Sequence, residues 1–304
     1  MIDVSIIIPT YNRGYILEKC LKALFNQVYP KDRYEIILVD DGSTDGTDRM
    51  VAFLNPPCRL KYLKNEKRIG QPKSRNKAIR EARGEVIIST DSDIIVVPDF
   101  ISQHISFHKK YKDIMVKGEL IQISNLNQVG KKKKGILDIS FSSFDTANVS
   151  VKKEHLIKVG GFDEDFLPYG FEDLELGYRL RKLGLKPKKN PLALGYHYKP
   201  LEKIFNPDTL YEREKMRGMN AALYWKKHPT LRVKLATQGN PLFALSFIGK
   251  YLAETERGKK IFSHMKGNKK LFMFLSQIIG YHYYLEGFKK GKTKNEKDFK
   301  KNIR

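Results

Sequence analysis

Residues 85–100 read EVIISTDSDIIVVPDF, and they join a run of β-branched apolar residues to two carboxylates, Asp91 and Asp93. The run Val86–Ile88 has no polar alternation, which is typical of a parallel strand that is covered on both faces. Two like charges one residue apart repel each other at the end of such a strand. The stretch therefore predicts an α/β sheet in which a positively charged group binds between the two aspartates.

Three more short apolar runs precede this one and have the same character. They are VSIIIPT (4–10), YEIILVDDG (34–42) and LKYLKNE (60–66). Helical patterns separate them, namely YILEKCLKALFNQ (15–27), STDGTDRMVAFL (43–54) and PKSRNKAIREARG (72–84). Alternating strands and helices predict a doubly wound sheet, whose ligands bind at the carboxyl ends of the strands.

The composition is that of a folded protein with a strongly basic surface. The 304 residues, of which 41% are hydrophobic, suffice for one large or two modest domains. The net charge of +23 predicts an anionic partner, which could be nucleic acid, an acidic membrane or a phosphorylated substrate. Two cysteines, Cys20 and Cys58, are too few for a disulfide framework. With no signal peptide expected in MIDVSIIIPTYN (1–12) and no long apolar run, we expect a cytoplasmic protein.

Polar clusters stand at the expected strand ends. They are PTYNR (9–13), DDGS (40–43), NEKRIGQPKSRN (65–76) and TDSD (90–93). Each could be only a turn or a helix cap, but four clusters at one sheet edge would form a single crevice. There, Asp40 and Asp41 can accept hydrogen bonds from a nucleobase and a ribose, and Tyr11 offers a ring for stacking. Arg75 can meet phosphate charge, and a divalent cation between Asp91 and Asp93 would carry a diphosphate.

With these motifs, the sequence resembles the family 2 glycosyltransferases, which use nucleotide sugars and have the GT-A fold. The stretches that carry the resemblance are SIIIPTYNR (5–13), ILVDDGSTDGT (37–47), GQPKSRNKAI (70–79), TDSD (90–93), NVSVKKEHLIKVGGFDEDF (148–166) and GFEDLELGYRL (170–180). Together they cover about residues 4–200. A D-x-D alone is a weak signal, whereas this conjunction in order is specific.

The resemblance implies a donor site and a metal site. It places Tyr11 and Asp40 on the base, Arg75 on the phosphates, and Asp91 and Asp93 on the ribose and the metal diphosphate. The implied nucleotide-sugar set is Pro9, Thr10, Tyr11, Arg13, Asp40, Asp41, Arg75, Asp91 and Ser92. The implied metal, Mn²⁺ or Mg²⁺, is held by Asp91 and Asp93, with His197 in LALGYHYKP (192–200) as a further ligand. The donor is expected to be a UDP-sugar.

An acidic pair supplies the expected catalysis. A helix is predicted to begin near Glu172, with Leu176, Leu180 and Leu183 on its apolar side. Acids in a first helical turn can be simple dipole partners. The resemblance implies more, with Asp173 as the general base that takes the proton of the acceptor hydroxyl and Glu172 as the residue that orients the acceptor. The sugar would transfer by direct displacement with inversion at the anomeric carbon.

The chain is predicted to divide near residue 200. Residues 1–200 form the GT-A catalytic domain, with a nucleotide-sugar half (1–100) and an acceptor half (101–200), and residues 201–304 form a helical, basic extension. Residues 257–304 carry 14 Lys and Arg against three acids, and lysines bracket the apolar run 271–285. That run predicts binding to an anionic membrane surface, on the inner face of the cell membrane, although a core helix with a basic tail has the same pattern. The acceptor would be a glycan or a lipid-linked hydroxyl.

Two other functions fit parts of the sequence less well. A sugar nucleotidyltransferase would need a Gly-rich phosphate loop with a catalytic Lys or Arg directly after the first strand, and PTYNRG (9–14) lacks it. A protein that binds nucleic acid or another anionic polymer would carry cations in its cleft, where this chain carries carboxylates. We therefore expect no nucleic-acid partner. The basic run Lys131–Lys134 is expected to be an exposed loop.

Overall fold

The structure is a computed structural model that describes residues 1–131, 144–167, 170–200 and 207–294. The predicted loop at Lys131–Lys134 lies outside the described residues except for Lys131. The chain forms two compact units. The first contains Met1–Glu164 and Glu172–Pro200, and the second contains Asp165–Phe171 and Leu201–Arg304. The segment Asp165–Phe171, which the sequence places in the catalytic domain, thus belongs to the second unit.

The first unit is built on one mixed sheet of eight strands. The strands are β1 (Val4–Thr10), β2 (Tyr34–Asp40), β3 (Arg59–Lys64), β4 (Val86–Thr90), β5 (Ile94–Val96), β6 (Ile114–Ile123), β7 (Asn148–Lys152) and β8 (Lys186–Tyr198). Their order is β3-β2-β1-β4-β7-β6-β8-β5. The strands β1 to β4 pair in parallel, whereas β7 is antiparallel to both of its neighbours. The four predicted strands and the α/β class are confirmed.

Helices cover both faces of this sheet. They are α1 (Gly14–Phe25), α2 (Thr47–Ala52), α3 (Gln71–Glu81), α4 (Phe100–Lys110), α5 (Lys153–Lys158) and α6 (Glu172–Lys182). Successive residues of β1 point to opposite faces, so Ile6 packs in one core cluster with Leu17 of α1, and Ile7 packs in the other with Ala78 of α3. This two-sided burial explains why β1 and β2 carry apolar residues on both faces, whereas β3, at the edge of the sheet, is only partly buried and alternates with lysines.

Helix α6 begins at Glu172, as the sequence predicts. Leu176 and Leu180 are fully buried, but Leu183 is 44% exposed. The prediction for Leu183 was wrong because the helix ends at Lys182, so the next residue leaves the apolar stripe.

The second unit is helical. Its helices are α7 (Pro207–Lys227), α8 (Leu231–Gln238), α9 (Ser246–Glu254), α10 (Glu256–His264) and α11 (Lys269–Thr293). Helices α7 and α11 pack closely because glycines stand at their contact: a Cβ on Gly218 would overlap the carbonyl of Tyr284, and one on Gly287 would overlap that of Lys215. None of the described helices is long and apolar enough to cross a membrane.

The apolar run 271–285 lies within α11, and much of it faces the interior of this unit. Ile278, Ile279 and Tyr284 are each no more than 2% exposed. The Tyr284 hydroxyl also donates a hydrogen bond to the carbonyl of Thr237, at 2.7 Å. Only part of the run, including Met273 and Phe274, is exposed. Four large side chains of the run, Phe272, Ile278, Ile279 and Tyr284, are therefore buried in the unit and cannot contact a membrane.

Candidate active site

The turn after β1 is tied to the turn after β2. Asn12 adopts a left-handed conformation with φ of 51°. Its backbone N–H donates to the Ser43 hydroxyl at 2.9 Å, and its side-chain oxygen accepts from the Thr44 N–H at 2.8 Å. Asn is one of the few residues that tolerate this conformation, since its short side chain can bond locally. These bonds fix the position of the neighbouring Tyr11.

Tyr11 and Arg68 form an exposed aromatic and cationic pair. The Arg68 guanidinium lies 4.4 Å from the centre of the Tyr11 ring, and Tyr11 is 37% exposed. The two predicted residues before Tyr11, Pro9 and Thr10, are buried in β1, where they pair with β2. A planar base can stack on such a ring, and a guanidinium beside it can meet a phosphate.

Asp40 and Asp41 are both buried, and protein donors contact both. Asp40 accepts hydrogen bonds from the Tyr62 hydroxyl at 2.6 Å and from the Ser43 N–H at 2.8 Å. Asp41 accepts from three donors in the loop that leads into α3, the Asn65 amide and the Ile69 and Gly70 N–H groups, and from the Ser74 hydroxyl in the first turn of α3. Asp41 therefore organises the loop that carries Arg68 and the start of the helix that carries Arg75.

We expect the Asp41→Ala variant to unfold more easily than the parent. Removing the carboxylate takes the acceptor from two buried donors, the Asn65 amide and the Ser74 hydroxyl, and from the half-buried N–H groups of Ile69 and Gly70, which costs about 3 kcal/mol of the free energy of unfolding. Urea denaturation followed by circular dichroism measures the loss. The control is Asp48→Ala, because Asp48 pairs with Lys64 at the surface. Equal stability of the Asp41 and Asp48 variants would contradict this role.

Arg75 is the centre of the site. It is 1% exposed, and its guanidinium lies 2.9 Å from the Asp91 Oδ1 and 3.6 Å from the Glu172 Oε1. A third bond joins it to the Gln71 side chain at 2.9 Å, while its Nε has no hydrogen-bond partner among the described residues. One buried cation thus joins the D-x-D motif to the acidic pair of α6. The structure brings these predicted residues together.

Asp93 lies beside His197 because β5 pairs with β8. Ile94 is the register partner of His197, and the Asp93 carbonyl accepts from the Tyr198 N–H at 2.9 Å. The His197 Nε2 lies 3.5 Å from the Asp93 Oδ1. That oxygen is buried without a hydrogen bond from the described part of the chain, whereas Oδ2 pairs with Arg13. Ser92, between the two aspartates, is also buried.

The donor atoms suit a divalent cation, but arginines hold the carboxylates in this structure. Arg13 contacts Asp93, and Arg75 contacts Asp91. Within the described ranges, no group of three or more His, Cys, Asp or Glu side chains is arranged to hold a metal ion. Burial, with the charge of Lys199, lowers the pKa of His197 to about 4, so its imidazole is neutral at pH 7. A neutral imidazole nitrogen and a carboxylate oxygen without a hydrogen bond are both groups that can coordinate a divalent cation.

The pKa of Asp173 is raised, which suits a carboxylate that acts as a general base. The residue is half-buried, and burial raises the pKa of its carboxyl group well above the usual value. The negative charges of Glu172 and Asp145 raise it further, while the Leu174 N–H and Arg75 act in the opposite direction. A carboxylate with a raised pKa holds a proton more strongly and is a better general base.

Sequence reasoning missed Asp145, which acts electrostatically on both Asp173 and His197. Asp145 stands three residues before β7, in FDTANVS (144–150), and its Oδ1 accepts from the Ala147 N–H at 3.1 Å. The feature of the sequence that could have revealed Asp145 is an acidic residue that stands just before a strand.

Asn76 was also missed, although it holds the loop that precedes the acidic helix. Its amide donates to the Phe162 carbonyl at 2.8 Å and to Glu164 at 2.9 Å, and its oxygen accepts from the Phe162 N–H at 2.8 Å. Gly161 has φ of 72°, and a Cβ there would lie 2.5 Å from Asn76 Oδ1. The Gly-Gly turn at 160–161 thus allows α3 to bind this loop directly.

A match to a family model shows which protein family the chain belongs to. The model described as "Glycosyl transferase family 2" matches residues 5–162, which is more than half of the sequence. The chain belongs to glycosyl transferase family 2. A second model, described as the N-terminal domain of galactosyltransferase, matches residues 136–203, the region of the acidic helix and His197. The resemblance inferred from the motifs is confirmed.

Curated relatives of this family 2 protein include several transferases. The uncharacterized glycosyltransferase YfnE of Bacillus subtilis is 29% identical over 60% of this chain and 61% of its own length. A validoxylamine A glucosyltransferase of Streptomyces hygroscopicus is 26% identical over 76% of this chain and 62% of its own length. The chain therefore spans about three fifths of the length of these first relatives.

Solved structures show that the family 2 chain has the GT-A fold. The mannosyltransferase PcManGT of Pyrobaculum calidifontis, in complex with GDP-Man and Mn²⁺, matches with a TM-score of 0.64 and 20% identity over 93% of this chain and 86% of that one. Staphylococcus aureus TarS 1–349, in complex with UDP-GlcNAc, matches with a TM-score of 0.55 and 17% identity over 97% of this chain and 93% of that one. At these identities, the likeness concerns the fold alone.

Proposed function

We propose that this protein is an inverting glycosyltransferase that moves one sugar from a nucleoside diphosphate sugar to an acceptor hydroxyl. The observation that carries the proposal is the position of Arg75, which contacts Asp91 and lies 3.6 Å from Glu172. A buried guanidinium between the two acids can stabilise a departing diphosphate next to the group that binds the acceptor. The kinship with transferases supports the same reaction.

The proposed donor is a UDP-sugar. Tyr11 and Arg68 form the stacking surface, and Asp40 and Asp41 lie at the neighbouring strand end. TarS, which shares the fold, has been crystallised with UDP and with UDP-GlcNAc, whereas PcManGT was crystallised with GDP-Man. Binding of UDP and GDP to the full chain, measured by calorimetry, distinguishes the two bases.

The proposed cofactor is Mn²⁺ or Mg²⁺ at Asp91, Asp93 and His197. The unbonded Asp93 Oδ1 and the neutral His197 imidazole are the atoms that fit it. When bound, a divalent cation neutralises the charge that develops on the leaving diphosphate. Arg13 and Arg75 pair with these carboxylates in this structure, and both guanidinium groups can instead contact phosphate oxygens of the donor.

In the proposed reaction, Asp173 takes the proton of the acceptor hydroxyl at its carboxylate. The acceptor oxygen forms the new bond to the anomeric carbon while the bond to the diphosphate oxygen breaks. Glu172 orients the acceptor, and Arg75 holds the leaving diphosphate. The experiment is a screen of nucleotide sugars for hydrolysis in the presence of Mn²⁺, followed by transfer to glycan and lipid-linked acceptors. Failure of every nucleotide to bind would overturn the function.

The pH dependence of transfer should depend on Asp145. Because the pKa of Asp173 is raised, kcat/KM should fall as pH decreases through that raised value, where the base becomes protonated. Asp145→Asn removes one charge that raises the pKa, so the acidic limb of the profile should move to lower pH. Glu154→Gln, which removes an exposed charge on α5, is the control. An unmoved limb in Asp145→Asn would show that another group sets the profile.

We further propose a cytoplasmic protein that acts at the inner face of the cell membrane on a lipid-linked or glycan acceptor. The chain has 57 Lys and Arg residues against 34 Asp and Glu residues, and the resulting net charge of +23 supports attraction to anionic headgroups. Flotation of the full chain with anionic vesicles tests the association.

A further inference from the structure

The second unit has an exposed surface that combines apolar and basic side chains. It is formed by α9, α10 and the turn that follows α10. Tyr251, Arg257, Lys260, Ile261 and Met265, with His264, line one groove of about 420 Å³. Phe247 stands one helical turn before Tyr251 on α9 and is 68% exposed. We call Phe247, Tyr251, Arg257, Lys260, Ile261 and Met265 the basic apolar patch.

We propose that the basic apolar patch binds the surface of an anionic phospholipid bilayer. This inference rests on the membrane association proposed above and assigns it to particular side chains. An apolar surface with cations around it matches the boundary between acyl chains and anionic headgroups. Aromatic side chains such as Phe247 and Tyr251 favour the same depth.

The cations of the patch are available to a headgroup phosphate. Arg257 and Lys260 are exposed and make no ion pair with the described residues. The neighbouring acids are already paired, because Glu256 lies 2.9 Å from Lys259 and Glu254 lies 2.8 Å from His282. The positive charge at the groove is therefore not cancelled locally.

The patch is held in a fixed shape by close packing beneath it. A Cβ on Gly249 would overlap the Ile278 carbonyl of α11, and one on Gly258 would overlap the Tyr251 carbonyl. The rings of Phe262 and Phe272 stack with centres 4.8 Å apart, which joins α10 to α11. The apolar side chains above these contacts, such as Phe247, stay exposed although the helices themselves are packed.

A second copy of the chain fits this surface less well than a bilayer does. In a symmetric pair, Arg257 and Lys260 of one copy would face the same cations of the other, and like charges oppose such an interface. Helix α11, where the sequence places the membrane contact, buries Ile278, Ile279 and Tyr284 in the core. The basic apolar patch, in contrast, places exposed apolar side chains and basic side chains at one groove.

The test is flotation of the full chain with vesicles of phosphatidylcholine, with and without phosphatidylglycerol. The Arg257→Glu/Lys260→Glu variant should bind the anionic vesicles about thirtyfold more weakly or worse, since each basic residue at such a surface contributes about a factor of five. Its matched control is Lys289→Glu/Lys290→Glu, which changes the charge equally at exposed positions of α11. The control should retain most of the binding that the patch variant loses.

A second pair of variants tests the apolar component. Phe247→Ser/Tyr251→Ser should also weaken binding, whereas Leu231→Ser/Leu235→Ser, at 72% and 46% exposed positions of α8, should not. The assignment would be overturned if a patch variant and its matched control lost equal amounts of vesicle binding. It would also be overturned if the parent bound uncharged vesicles as well as it binds anionic ones. Loss of self-association or of duplex DNA binding in the patch variants without any effect on vesicles would likewise overturn it. Binding of UDP with Mn²⁺ should be unchanged in every variant, which separates this inference from the proposed catalysis.

Discussion

Asp173→Asn is expected to lower the rate of sugar transfer about a thousandfold while the affinity for the nucleotide donor stays close to that of the parent. The amide has the size of the carboxyl group and can still accept a hydrogen bond from the Leu174 N–H, so α6 should begin as before. It cannot take a proton from the acceptor hydroxyl. The loss should therefore appear in kcat and not in the dissociation constant of the donor.

Calorimetry with UDP and a transfer assay on the same preparation separate these two quantities. The matched control is Asp48→Asn, the same chemical change on α2, where the carboxylate pairs with Lys64 at the surface. If Asp173→Asn lost donor binding, Asp173 would belong to the nucleotide site. The base would then be sought at Asp163 or at Glu164, which contacts Asn76.

The position of the site could be predicted because it follows from the sheet. Apolar runs set the parallel strands, and the polar residues directly after them must meet at one edge. Tyr11, Asp40, Arg75 and Asp91 were proposed as site residues in this way. Locally encoded features such as the start of α6 at Glu172 were equally accessible.

Contacts between distant strands were less accessible to the sequence. His197 stands next to Asp93 only because β5 pairs with β8, and no local pattern encodes that register. The importance of His197 was therefore inferred from the family resemblance. Asp145 was missed for the same reason, since its effect on Asp173 depends on where β7 joins the sheet.

The role of a buried carboxylate also depends on donors that the sequence does not place. Asp41 was expected to bind the donor, and its four protein donors give it a structural role that the DDGS motif does not reveal. Similarly, the run 271–285 is apolar on most sides, so its pattern fits a core helix as well as the membrane contact that the sequence analysis favours. Only packing against neighbouring helices separates the two, and the structure buries Ile278, Ile279 and Tyr284.

Asp93→Ala is expected to abolish the metal dependence of donor binding and to lower transfer about a thousandfold, because a bound cation supplies several kcal/mol of transition-state stabilisation. The sequence suggests that the change would relieve repulsion between Asp91 and Asp93. The structure gives a different reason why the fold should survive. Arg13, the ion-pair partner of Asp93, is 43% exposed at its side chain and can turn to water.

Two titrations test this prediction. In the first, Mn²⁺ is titrated into the Asp93→Ala variant and binding is followed by electron paramagnetic resonance. In the second, UDP is titrated into the variant in the presence of Mn²⁺ or of a chelator. The parent should bind Mn²⁺ and UDP cooperatively, and the variant should bind UDP weakly and equally in both media. Asp32→Ala, at an exposed turn, is the control for the loss of one acid. Asp93 Oδ1 is buried and lacks a hydrogen-bond donor among the described residues, which is why it is assigned to the metal. Full activity of Asp93→Ala in the presence of a chelator would show that this oxygen holds no metal. Arg13 and Arg75 would then neutralise the diphosphate alone.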